Sequence, residues 1–163
     1  MGRKIADLGF FTSLGIILGY VDTLIPVFSG VPGIKLGLAN LAVLFVLYRH
    51  GIRSAGMVSF IRILAVGFLF GNLFSIFYSL AGGFLSLSVM ALLKKSRRFS
   101  MIGVSIAGGV SHNVGQILAA MAVVESPSVL YYLPVLLISG VITGFCIGTA
   151  ALEVWKRIGK EYE

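Results

Sequence analysis

A chain of 163 residues that is 58% hydrophobic and only 12% charged cannot cover a soluble surface, since a water-facing domain keeps about a quarter of its residues charged. Its mean hydropathy of +1.01 puts most of the outer surface against lipid, and its long apolar segments have no polar face to offer water. The net charge of +7 sits in short loops without aromatic or polar interleaving, which excludes a nucleic-acid surface.

The chain opens on Met1-Gly2-Arg3-Lys4. The apolar stretch that follows is too long for a signal peptide and has no clear cleavage pattern, so it reads as a retained first span from about Ile5 to Pro26. Residues 28–33 form a turn-rich loop. A second span is expected from about Ile34 to Tyr48, with Lys35 free to snorkel outward, and Arg49-His50-Gly51 closes it. The uncharged run from Ile63 to Leu93 is too long to cross a core about 30 Å thick once. It divides at Gly71-Asn72 into spans of about 53–70 and 72–93. After the basic loop 94–98 come spans at 101–124 and 130–152, separated by Glu125-Ser126-Pro127-Ser128. The prediction is an all-α membrane protein, a six-transmembrane-helix bundle in which residues 1–163 form one integral membrane domain.

Charge sets the orientation. Arg3, Lys4, Arg49, Arg53, Lys94, Lys95, Arg97, Arg98, Lys156, Arg157 and Lys160 fall on one side of these spans, leaving Lys35 on the other and Arg62 inside a span. Positive loops stay cytoplasmic, so both termini are expected inside. Small residues recur at four-residue spacing: Gly15 with Gly19, Ser75 with Ser79 and Gly83, Ser105 with Gly109, and Gly140 with Gly144 and Gly148. Lipid gives helices no hydrophobic drive to associate, so such rows mark close backbone approach, within the bundle or against another subunit.

Polar groups inside a membrane are costly and face the bundle interior. Depth along alternating spans gathers Asn40, Arg62, Asn72, Tyr78, His112, Asn113 and Gln116 in the outer half, with Asp22 and Lys35 near the boundary. Apart from Asp22, these are the candidate substrate-binding residues of an outward-facing, mostly apolar pocket. Each has a structural reading as well. Arg62 pairs with Asp22, His112 is satisfied by a backbone carbonyl, and the amides act as interhelical hydrogen-bond glue. Tyr131 and Tyr132 read as interfacial belt residues. No catalytic residue, cofactor or metal site is expected. The six acidic residues form no paired motif, Cys146 is the single cysteine, and His112 has no neighbouring ligand.

The segments 31–40 (VPGIKLGLAN), 71–83 (GNLFSIFYSLAGG) and 103–116 (GVSIAGGVSHNVGQ) resemble the Gx transporter family, whose members are often labelled heptaprenyl diphosphate synthase component I. That family is similar in turn to the substrate-binding S components of energy-coupling factor (ECF) transporters, six-helix proteins with both ends inside. The resemblance implies uptake of a vitamin-like or other small organic molecule across a bacterial cytoplasmic membrane. It also implies partners, a transmembrane coupling subunit and cytoplasmic ATPases. S components dock through small residues on the inner half of span one, and the matching place is Gly9-Phe10-Phe11-Thr12-Ser13. Gly9 and Ser13, with Ala6 nearby, are therefore the candidate docking residues. The label implies the alternative, a non-catalytic membrane accessory subunit in polyprenyl diphosphate or quinone biosynthesis, with Lys35, Arg62 and Asn72 on a diphosphate headgroup.

Overall fold

The computed structural model describes residues 2–24 and 37–158, and every regular element among them is helical. The order is α1 (Gly2–Leu24), α2 (Ala39–His50), α3 (Ile52–Phe70), α4 (Leu73–Ser96), α5 (Met101–Val124), a 3-10 turn (Pro127–Tyr132) and α6 (Leu133–Ile158). Five of these, all but α2, are long and apolar enough to cross a membrane. The long helices keep large apolar side chains outward, Phe84 with 78% of its surface exposed, which only a lipid environment accommodates. The protein is a membrane-embedded helical bundle.

Local chemistry sets the breaks. Ser100 opens α5 by accepting the Gly103 N–H at 3.2 Å, and Asn72 opens α4 by accepting the Ser75 N–H at 2.8 Å. The second element departs from expectation. Gly37 takes a left-handed φ of +67°, which favours glycine and ends any continuous helix there, so the described helix starts at Ala39 and not near Ile34. The resulting 12-residue helix is about 18 Å long, well short of a bilayer core. The last helix likewise starts at Leu133 and not at Leu130, because Ser126 and Pro127 first wind a 3-10 turn.

The helices close a ring in the order α1, α3, α4, α5, α6, α2 and back to α1, with α2 also touching α3. This explains α2: it is shielded by its neighbours, and every residue from Ala42 to Leu47 is buried. Glycines set the close approaches. A Cβ on Gly109 would stand 2.5 Å from the Gly140 carbonyl oxygen, and one on Gly144 2.6 Å from the Ile106 Cα, so α5 and α6 touch backbone to backbone. The Gly140-Gly144-Gly148 row is thus an internal packing face. Gly15 and Gly19 similarly admit Arg62 and Val66 of α3 against α1.

The start of α1 and the ends of α2, α4 and α6, where basic residues cluster, meet at one end of the bundle. There Asp7 of α1 accepts from Arg49 at 2.7 Å and lies 3.3 Å from His50 Nε2. Lys94 Nζ of α4 donates to the Leu47 carbonyl at 2.6 Å, and Phe45 packs between Phe11 and Trp155.

Candidate functional site

A cavity of about 80 Å³, to which all six helices contribute, runs inside the ring from the end opposite the basic one inward to Met90 and Ser105. Its centre is Arg62. Three turns into α3, Arg62 lays its aliphatic stem against α1, where Gly15 leaves room: a Cβ at position 15 would lie 3.2 Å from Arg62 Cδ. Arg62 is 8% exposed, and its guanidinium donates to Asn40 Oδ1 at 2.9 Å. Asp22, also 8% exposed, acts electrostatically on it from α1. Arg62 Nε is buried with no hydrogen-bond partner among the described residues. One cation, one anion and one amide therefore stand together at the junction of α1, α2 and α3. The pair cancels most of the charge that lipid would not tolerate, and an N–H donor is left over.

The other wall belongs to α5. His112 and Gln116, one turn apart, lie against α4 at Gly82, where a Cβ would come within 3.0 Å of the His112 ring and 2.9 Å of Gln116 Cγ. Bare backbone on α4 is what lets these two side chains sit between the helices. Asn113 Nδ2 donates to the Leu136 carbonyl at 2.6 Å, so part of its amide holds α6 in place. Ser75 and Ser79 of α4, Ser105 of α5 and Thr143 of α6 complete the polar lining, and Ile63, Val66 and Ile147 supply apolar wall.

The structure thus brings together Asn40, Arg62, His112, Asn113 and Gln116. It does not bring Asn72 and Tyr78 to them. Asn72 is exposed and engaged as the cap of α4. Tyr78 is half-buried and packs edge-on near Phe77, outside the lining. Lys35 lies outside the described residues. Asp22 joins the cavity as the charge partner of Arg62. Ser75 and Ser79 were legible only as members of a packing row with Gly83. Each four-residue step turns a helix about 40° further round, so the row splits, with the serines on the cavity and Gly83 against Ile63 of α3. Gly9 and Ser13 are exposed, and nothing lies within 4 Å of a Cβ on Gly9. Among the described residues no three His, Cys, Asp or Glu side chains form a group able to hold a metal ion.

The family model described as heptaprenyl diphosphate synthase component I matches residues 11–154. No curated protein shows a significant match, and no solved structure does.

Proposed function

The chain belongs to the heptaprenyl diphosphate synthase component I family, and from that premise we propose that it is a non-catalytic, substrate-binding membrane subunit that takes up a small organic molecule with the help of an ECF-type coupling subunit and its ATPases. The observation that carries this reading is the Arg62–Asn40–Asp22 constellation in a cavity lined by all six helices. A bundle needing only stability would do as well with apolar residues there, since a buried ion pair is often no better than its hydrophobic replacement. In this reading Arg62, Asn40, His112, Asn113 and Gln116 contact the ligand. The cavity is smaller than the roughly 300–1,000 Å³ of typical ligand pockets, so loading parts the helices around it. Asp22 of α1 and Gly37 before α2 both line it, and in this reading the ligand enters from their side of the cavity.

The reading places the protein in a bacterial cytoplasmic membrane as six spans, with the basic end and both termini inside. A cysteine at Ser128 should react with an impermeant maleimide from outside whole cells, and one at Ser96 should react only after permeabilisation. Reversed labelling would sink the orientation and the outward-facing pocket together.

Partner coupling is tested on α1. Gly9 and Ser13 form a bare outward patch near the basic end, where close contact with another helix tolerates no added bulk. Gly9→Leu with Ser13→Leu is expected to abolish uptake and copurification of the coupling subunit while ligand binding to the isolated subunit persists. Full transport by the double variant would mean that coupling runs elsewhere.

The family description favours a second reading, an accessory membrane component of a polyprenyl diphosphate synthase. Mass spectrometry of the detergent-extracted protein separates the two. ATPase and coupling subunits copurify under the first reading and a soluble prenyl synthase under the second.

A further inference from the structure

A second and larger cavity, about 660 Å³, lies at the basic end, where the end of α2 and the start of α3 meet the last turns of α4. Its body is apolar, formed by Leu47, Ile52, Ala91 and Leu92. Ile52 and Leu92 keep 51% and 68% of their surface exposed, so the groove opens sideways on the flank of the bundle, toward lipid. Its rim is cationic, formed by Lys94, Lys95 and Arg97.

The charges on this rim are not equal. Lys94 spends two of its hydrogens on the Leu47 and Tyr48 carbonyls, at 2.6 and 3.3 Å. That neutralises the C-terminal end of α2, whose dipole would otherwise repel an anion from the groove. Lys95 and Arg97 are left exposed, and among the described residues no acidic side chain lines the groove. Asp7 is held by Arg49 and His50, and Glu153 by Arg157. Arg97 ends α4 at a left-handed φ of 56°, a position where glycine is the usual residue.

An apolar trough on the flank of the bundle that ends in two cations, with no acidic side chain among the described lining residues, matches one chemistry, a hydrocarbon chain carrying a phosphate. We infer that this groove is a lipid site that seats one anionic phospholipid of the leaflet at the basic end. Its phosphodiester lies on Arg97 and Lys95, and an acyl chain runs along Leu92 and Ile52 toward Leu47. Anionic phospholipid is the occupant because the groove is entered from the membrane itself, where that lipid is abundant, and basic pockets between membrane helices select anionic headgroups. A planar guanidinium pairs two phosphate oxygens at once. This inference does not depend on the transport reading, since it concerns the other end of the bundle.

Native mass spectrometry of the full-length protein, offered equal amounts of phosphatidylglycerol and phosphatidylcholine, tests it. One phosphatidylglycerol should be retained in preference to phosphatidylcholine. Lys95→Gln with Arg97→Gln should weaken that retention about thirtyfold, at about 1 kcal/mol per basic residue. Arg157→Gln, a charge removed elsewhere at the same end, should leave retention unchanged. Ser88→Trp obstructs the trough without changing charge and should weaken it too; this arm keeps the test decisive if the charge variant folds poorly. Equal retention of the two lipids overturns the inference, as does a Lys95/Arg97 variant that binds like the parent. Stoichiometric displacement of phosphatidylglycerol by farnesyl diphosphate also overturns it, by assigning the groove to a prenyl diphosphate.

Discussion

Gly144→Leu is expected to prevent the bundle from assembling. At this position α6 meets α5 without any intervening side chain. A Cβ would lie 2.6 Å from the Ile106 Cα and 2.9 Å from the Ser105 carbonyl oxygen, and neither is a side chain that can swing away. The helices must separate, losing dispersion contacts along the whole Gly140-Gly144-Gly148 row and the weak Cα–H···O contacts that such close approach permits. We expect a cost of at least about 3 kcal/mol, read as a fall of about 10 °C in the thermal midpoint or as loss of the monodisperse species on gel filtration. Gly9→Leu is the contrast. It adds the same bulk where nothing lies within 4 Å, and should leave the midpoint unchanged. Equal stability of Gly144→Leu and the parent would refute the α5–α6 interface described above.

Arg62→Ala should produce the second large effect, and its form separates the two roles open to this residue. Removing the guanidinium takes the positive charge of Arg62 away from the buried Asp22 carboxylate and the N–H donor away from Asn40 Oδ1. Losing one of two interacting buried charges costs up to about 3–5 kcal/mol. Asp22→Asn on the Arg62→Ala background should recover much of that stability, with a coupling of about 2 kcal/mol in the double-mutant cycle. Ligand binding should stay lost in the recovered double variant, because the Arg62 donor that faces the cavity is still missing. A double variant that folds and binds ligand like the parent would make the pair purely structural and remove the site. Asn72→Ala is the appropriate control, an exposed cap worth about 1 kcal/mol to α4 and no ligand affinity.

Much of this architecture was legible where the chain punctuates itself. Ser100 and the Glu125-Ser126-Pro127 step bound α5 at Met101 and Val124, as expected from the sequence. The break at Gly71-Asn72 falls where an uncharged run had to be divided. Depth along alternating helices was enough to gather Asn40, Arg62, His112, Asn113 and Gln116, because intramembrane polarity is rare and each such residue is displaced toward the interior. What stayed hidden depends on angle and local conformation. Hydropathy reads straight through Gly37, whose positive φ delays α2 to Ala39. Depth placed Asn72 and Tyr78 at the right level, but depth says nothing of azimuth. Asn72 is used by its own helix end, and Tyr78 lies beside Phe77, off the cavity wall. Sequence alone also gave no sign that the serines and the glycine of one small-residue row would face different neighbours.

The uneven use of glycine around the ring has a mechanical consequence. From α4 through α5 to α6 the helices meet through bare backbone, and contacts of that kind have no rotatable bonds in which to absorb displacement. α1 is held differently. It buries only Gly15, Gly19 and Asp22, and it grips its neighbours through an ion pair at one end and flexible side chains along its length. The bundle therefore divides into a stiff wall and a more compliant one. The polar residues of the cavity lie along the seam between the two walls.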